Sequence, residues 1–176
     1  MLDNTISESI RNKVREQIER TKHLIKLIPS DRIDWNPKWP SGSSDFGHLL
    51  GHLLDCLAGF CAVFNAAFPQ KFKGALELRS LPVNHACGAE EAIARIGVYV
   101  KYIEQGFKLC RDQDLQRMLP TLFTPGESVM TLLLGNLEHL INHKYQLFVY
   151  LKLSGIPVTT GDIYCWRGNA DAGASR

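Results

Sequence analysis

This chain lacks the CxxC spacing of cysteine metal sites and redox motifs, and its five cysteines in 176 residues are an odd number. That pattern argues against a disulfide framework and against a cysteine zinc site. No block of lysine or arginine is present, and 20 basic against 18 acidic residues leave a net charge of +2, so we expect no nucleic-acid partner. The opening segment MLDNTISESIRNKV lacks the apolar core of a signal peptide, and we expect a cytoplasmic protein.

The chain also lacks low-complexity tracts, and its 45% hydrophobic and 22% charged residues are an ordinary globular composition. Its length suits one domain with a sizeable core. We predict a single domain over residues 1–166 and a flexible C-terminal tail over residues 167–176.

One apolar run is long enough to cross a bilayer, residues 46–68 with the sequence FGHLLGHLLDCLAGFCAVFNAAF. Asp55, Asn65 and the histidines within it oppose insertion, because an aspartate at mid-helix alone costs about 3 kcal/mol. We therefore predict a soluble helix and no membrane association. A helix that is apolar nearly all round implies burial on two sides. One side can face the rest of the chain, and the other is a candidate homodimer surface.

Apolar side chains at helical spacing predict four long helices, and no sustained strand alternation is present, so the predicted class is all-α. The first helix is expected from about residue 6 to Pro29. The second is expected to end near Phe68, with Ser43 or Ser44 as its cap and Asp45 in its first turn.

The third helix is expected from about Gly88 to Cys110, after a long connection over residues 69–87. Such a length suits a crossover between non-adjacent or parallel helices better than a tight hairpin. The segment Thr124-Pro125-Gly126-Glu127 predicts a capping box at the start of the fourth helix, and Gly155 predicts its end.

Four of the six histidines form two HxxxH pairs, His48 with His52 on the second predicted helix and His139 with His143 on the fourth. Residues four apart share a helix face, with Cβ atoms about 5–6 Å apart, so such a pair can converge on one divalent ion. A third histidine from a facing helix would leave positions open for water or substrate. Alternatively, the histidines are core or surface residues with local hydrogen bonds. Two pairs on apolar helices favour the metal, because burying unpartnered imidazoles costs free energy.

The segments around these histidines resemble those of the DinB/YfiT-like metalloenzymes. Residues 49–53, LLGHL, are similar to the second-helix LxxHL element of that family, a weak motif by itself. Residues 139–147, HLINHKYQL, followed by Tyr150-Leu151 and Gly155-Ile156-Pro157, are similar to its more specific HxxxHRGQL…YLR…G.P element. The order and lengths of the predicted helices also agree, over residues 1 to about 160.

The resemblance implies a four-helix bundle with a long crossover connection between helices 2 and 3, often dimeric, that holds one divalent metal ion. By position, the implied ligands are His52, His139 and His143. Imidazole accepts zinc, nickel and iron, so the metal is not specified. Lys144-Tyr145 stands where the family usually has Arg-Gly.

Further side chains near these positions are candidates for a fourth ligand or for hydrogen bonds that orient the ligands or the substrate. They are His48, Asp55, Asn136, Gln146 and Tyr150. His48 has no counterpart in many relatives and is open to three roles: a fourth ligand, a proton shuttle or a bystander. We favour a supporting or bystander role.

Characterised members of the resembled family include thiol-dependent S-transferases, a mycothiol-dependent isomerase and metal-dependent hydrolases. A metal on three neutral histidines lowers the pKa of a bound water or ionises a bound thiol. By analogy we predict a metal-dependent enzyme that activates a low-molecular-weight thiol, as cosubstrate, or water for attack on a small electrophilic substrate. The alternatives are a non-catalytic metal-binding or stress-response dimer, which a closed four-histidine site would favour, and a bundle without metal.

Overall fold

The computed structural model describes residues 5–38, 44–72, 78, 80–82, 84–120 and 126–164. Within these ranges the long elements are the helices α1 (Ile6–Ile25), α2 (Phe46–Ala67), α3 (Ala89–Leu109) and α4 (Val129–Leu153). The short elements are 3-10 turns at Ser30–Arg32 and Asp112–Gln116, strands β1 (Met118–Leu119) and β2 (Glu127–Ser128), and helix α5 (Thr160–Tyr164). The predicted all-α class is confirmed, since the strands form only a two-residue antiparallel pair.

The caps of α2 and α4 differ from the predicted ones. Asp45, and neither of the two serines, caps α2, because its carboxylate accepts a hydrogen bond from the backbone N–H of His48. Ser128 caps α4 by accepting from the Thr131 N–H. The predicted capping box ending at Glu127 is wrong, because pairing with β1 holds Glu127 extended as part of β2. Its first two residues, at 124 and 125, lie outside the described ranges.

Helices α2 and α3 run parallel. The Cys61 thiol of α2 lies 3.9 Å from the Tyr99 carbonyl oxygen of α3, and further along, the rings of Phe64 and Phe107 pack edge-to-face with centroids 4.9 Å apart. The end of the connection between these helices, from Asn84 to Gly88, lies beside the first turns of α2, because Cys87 donates to the Gly47 carbonyl and His85 lies against Gly51. We call residues 80–82 and 84–88 of this connection the crossover segment.

The long helices enclose one core. Both α1 and α2 pack against α3 and α4. Helix α2 contributes the largest share of fully buried side chains, among them Phe46, Phe60 and Phe64. Helices α2 and α3 approach closely at Gly106 of α3, where a Cβ would overlap the Phe64 ring of α2.

Helix α2 is long and apolar enough to cross a membrane by length and composition alone, but most of that apolar stretch is buried inside the chain. This is the pattern of a core helix. Its exposed positions are His48, Ala62 and Ala66, and its large apolar side chains are all buried. The helix leaves no second large apolar face among the described residues, and the homodimer stays a prediction.

The end of the chain contains the short helix α5, which the sequence patterns did not predict. Asp162 of α5 lies 3.1 Å from the His23 ring of α1 and joins the two helices. Residues 165–176 lie outside the described ranges, so the predicted domain boundary at residue 166 and the flexible tail stay predictions.

Candidate metal centre

Three histidine rings meet between α2 and α4. Ring nitrogens of His52, His139 and His143 all lie within 4.8 Å of one another. The Nε2 atoms of His52 and His139 are 3.3 Å apart. The ring centroids of His52 and His143 are 4.3 Å apart, and those of His139 and His143 are 4.7 Å apart. All three side chains are half-buried, so the group lies at the protein surface without being fully exposed.

The spacing of the rings fits a divalent ion. Two imidazole nitrogens about 2.0–2.1 Å from a tetrahedral zinc ion lie about 3.3–3.4 Å from each other. The distance between the Nε2 atoms of His52 and His139, 3.3 Å, has this value. The donor set of neutral nitrogens suits zinc, nickel and iron alike.

The antiparallel packing of α2 and α4 brings the histidines together. His139 and His143 are four residues apart and share the face of α4 that meets His52 on α2. Two turns along α2 from His52, a Cβ on Gly59 would overlap the Asn136 side chain, so the helices approach closely there. The glycine therefore helps to set the distance across which the three rings converge.

Electrostatics favour the neutral rings that metal binding requires. Burial lowers the pKa of His139, and the neighbouring His52 lowers it further, whereas Asp55 acts in the opposite direction. Burial likewise lowers the pKa of His143, opposed by its hydrogen bond to Gln146. Both rings are therefore neutral at pH 7 and have a lone pair to donate.

Two of the histidine rings form hydrogen bonds through Nδ1 to amide side chains. The Nδ1 atom of His52 lies 2.8 Å from Oδ1 of Asn84, in the crossover segment. The Nδ1 atom of His143 lies 2.9 Å from Oε1 of Gln146, whose Nε2 in turn donates to the Tyr150 hydroxyl at 3.3 Å. Since an amide oxygen only accepts, each Nδ1 carries the proton and each Nε2 is free to bind a metal.

The other predicted residues take different places. Gln146 orients His143, and Tyr150, buried beside Phe46, contacts Gln146. Asp55 acts on His139 through its charge, with no hydrogen bond joining it to the three described rings. Asn136 donates to the Leu132 carbonyl within α4 and packs on Gly59, so it serves the helix contact.

His48 lies apart from the group of three rings. Its Nδ1 is 2.7 Å from Oδ1 of Asp45 at the start of α2, and its side chain is 61% exposed. The ring thus belongs to the helix cap. This placement favours the bystander role over that of a fourth ligand.

Lys144 and Tyr145, which replace the usual Arg-Gly of the resembled family, do not face the three histidines. Lys144 is buried, and its Nζ donates to Oε1 of Gln17 in α1 at 2.7 Å. Burial, and to a lesser extent Arg20, lower the pKa of Lys144 to about 8. Tyr145 is exposed. Lys144 therefore takes part in the contact between α1 and α4.

The described cysteines are core residues. Cys56, Cys61, Cys87 and Cys110 are all free and buried. Burial raises the pKa of Cys56 and of Cys61 to about 12, with Asp55 contributing at Cys56. These thiols stay protonated at neutral pH and are poor nucleophiles.

Asn84 is the site residue that sequence reasoning missed. It lies 32 residues from His52 in a connection without helical periodicity, so no spacing links the two. Its backbone has a φ of +49°, a left-handed conformation that asparagine tolerates better than most residues. An asparagine in a loop is too common for that property to identify it.

Two solved structures have the same fold. The DinB-like protein YjoA from Bacillus subtilis superposes with a TM-score of 0.67 at 19% identity, over 90% of this chain and 99% of its own. A DinB-like protein from Bacillus cereus ATCC 10987 gives a TM-score of 0.64 at 17% identity, over 89% of this chain and 98% of its own. No family sequence model and no curated protein sequence matches the chain.

At this level of identity the two structures establish the fold alone, and the fold is DinB-like, as the motifs predicted. A group of three histidines that could hold a metal ion fits a DinB-like metal-binding protein.

Proposed function

We propose that His52, His139 and His143 hold one divalent metal ion, zinc, nickel or iron. The observation that carries this proposal is the convergence of three ring nitrogens within 4.8 Å of one another. Two further features support it. The lowered pKa values of His139 and His143 keep these rings neutral, and amide oxygens on the Nδ1 atoms of His52 and His143 leave their Nε2 atoms as the donors.

We further propose that the site is catalytic and acts on a small thiol or on water, as in a thiol S-transferase or a hydrolase. A divalent ion supplies Lewis acidity, which makes a thiol or water more acidic and hence more nucleophilic at neutral pH. Three protein ligands leave coordination positions open, and His48 is engaged with Asp45 outside the group, which favours an open site over a closed one. The four described cysteines are buried and protonated, which favours a small cosubstrate over these side chains as the source of the thiol.

His52→Ala tests this function, with His48→Ala as the matched control one turn earlier on the same helix. Each protein is loaded with zinc, nickel or iron. Glutathione or cysteine with monochlorobimane probes thiol transfer, and para-nitrophenyl acetate probes hydrolysis. Removing a ligand should abolish turnover while the helical circular-dichroism signal is kept. The control should retain turnover, because its ring contacts only the cap.

Unchanged turnover in His52→Ala would contradict the catalytic role. Stoichiometric metal in the wild type without turnover of either class of probe would favour a non-catalytic metal-binding protein instead.

A further inference from the structure

The Asn84 side chain connects the crossover segment to the candidate metal centre. Its Oδ1 lies 2.8 Å from Nδ1 of His52. Because this oxygen only accepts, the proton of the neutral His52 ring is placed on Nδ1 and the lone pair on Nε2. The same Nε2 is the atom that lies 3.3 Å from Nε2 of His139. Asn84 thus determines which nitrogen of His52 faces the other rings.

The Nδ1 atom of His143 also has an amide oxygen as its hydrogen-bond partner, but this oxygen belongs to the same helix. Gln146 lies three residues further along α4, so helix formation alone brings its oxygen to Nδ1 of His143. Asn84, in contrast, reaches His52 only when the crossover segment is docked against α2. The orientation of His52 therefore depends on tertiary structure, and that of His143 does not.

The crossover segment is fitted closely to the first turns of α2. The Cys87 N–H donates to the Gly47 carbonyl at 3.2 Å. One turn later, Gly51 has no room for a side chain, because a Cβ there would overlap the His85 backbone carbonyl. Asn84 itself occupies the left-handed region, with φ +49°. These contacts hold the Asn84 backbone beside His52.

A buried arginine of α3 also contacts the crossover segment, at a residue before Asn84. The Arg95 guanidinium donates to the Pro82 carbonyl through Nη2. Its Nη1 lies 3.5 Å from the Glu91 carboxylate, and the residue is only 6% exposed. Contacts with α2 and α3 thus fix the backbone on both sides of Asn84.

We propose that Asn84 is a positioning residue of the metal centre, and that docking of the crossover segment and metal binding stabilise each other. This inference rests on the proposed metal site. Because coupling between two equilibria is reciprocal, a bound metal that fixes His52 must favour the docked crossover segment to the same extent as docking favours the metal.

Two variants of the full chain distinguish the effect of the Asn84 side-chain oxygen from the effect of the backbone conformation at that position. Asn84→Gly keeps the left-handed conformation and removes the acceptor. Asn84→Asp is the matched control, because aspartate also tolerates that conformation and keeps an accepting oxygen. We expect zinc to bind about 10–100-fold more weakly to Asn84→Gly, the usual effect of losing a hydrogen bond to a ligating histidine. Asn84→Asp should bind zinc at least as tightly as the wild type.

Two further measurements distinguish positioning from a general structural role. Nitrogen-15 NMR of the metal-free protein at about pH 9, where imidazole rings are neutral, should show His52 protonated on Nδ1 in the wild type and Asn84→Asp, and a mixture of tautomers in Asn84→Gly. Zinc should slow amide hydrogen exchange in the crossover segment of the wild type and Asn84→Asp but not of Asn84→Gly.

An unchanged His52 tautomer in Asn84→Gly would overturn the inference, whatever the zinc affinity. So would wild-type zinc affinity in that variant. If the wild type binds none of zinc, nickel and iron, the proposed metal site fails, while the tautomer comparison still decides whether Asn84 positions His52.

Discussion

A histidine offers a metal only the ring nitrogen that carries no proton, so the position of one proton decides which nitrogen of a ring can bind the ion. In this chain the amide oxygens of Asn84 and Gln146 accept hydrogen bonds from the Nδ1 atoms of His52 and His143. The carboxylate of Asp45 takes the same position on His48, but at the start of α2 and outside the group. The place of His48 outside the group of three rings, and not the type of partner on its Nδ1, therefore makes it a bystander.

The buried thiols predict a pH dependence of stability. Burial raises the pKa of Cys61 from 9.0 to about 12 in the folded protein. Above pH 9 the unfolded chain releases this proton and the folded chain keeps it, so unfolding becomes easier as pH rises. The slope for one such thiol approaches about 1.4 kcal/mol per pH unit. Cys61→Ala should lower the free energy of unfolding at neutral pH but reduce its decline between about pH 9 and pH 11.

Urea titrations of metal-free wild type and Cys61→Ala over that range provide the check. Other titrating groups are common to both proteins and cancel in the difference. Parallel declines would show that Cys61 ionises as easily in the folded chain as in the unfolded one.

At the scale of elements, α3 contains two glycines with opposite environments. A Cβ at Gly106 would overlap the buried Phe64 ring, whereas a Cβ at Gly97 meets nothing within 4 Å. Gly106→Ala should therefore lower the free energy of unfolding by about 1–3 kcal/mol, because the added methyl group overpacks the core. Gly97→Ala should raise the free energy of unfolding by about 0.5–1 kcal/mol, because alanine loses less backbone entropy than glycine when a helix forms.

Thermal and urea unfolding of the two alanine variants measure this difference. The same chemical change in one helix controls for propensity. Equal effects at both positions would contradict the close approach of α2 and α3 at Phe64.

The elements that the sequence predicted are those set by local periodicity. All four long helices were predicted, with the ends of α3 at Gly88 and Cys110 correct, because apolar spacing and caps are local signals. The start of α4 was misplaced, because pairing of β1 with β2 depends on residues eight or more positions apart. Helix α5, with five residues, is too short for a periodic signal.

At the scale of the whole molecule, the site depends on a few long-range contacts. The HxxxH spacing identified His139 and His143 as neighbours, and the resemblance added His52 from another helix. Neither could identify Asn84, because its approach to His52 requires the parallel arrangement of α2 and α3 and the docking of the crossover segment against α2. Sequence therefore predicts the fold and the three rings, but not what orients His52.

A ligand that binds only the folded chain must stabilise it. Zinc at about 100 times its dissociation constant should add about 2.7 kcal/mol to the free energy of unfolding. For a chain of this length that corresponds to a rise in Tm of about 5–10 °C. His139→Ala/His143→Ala should show no rise, and His48→Ala should show the full rise. A rise of equal size in the double variant would place zinc binding elsewhere.

The central claim is that His52, His139 and His143 form one metal site, and metal content per chain tests it most directly. Elemental analysis would be performed on wild type, His48→Ala and His139→Ala/His143→Ala, each purified without a histidine tag and reconstituted with zinc, nickel or iron. We predict about one metal ion per chain in the first two proteins and none in the third. Absence of metal from the wild type after reconstitution, or its retention by the double variant, would contradict the account.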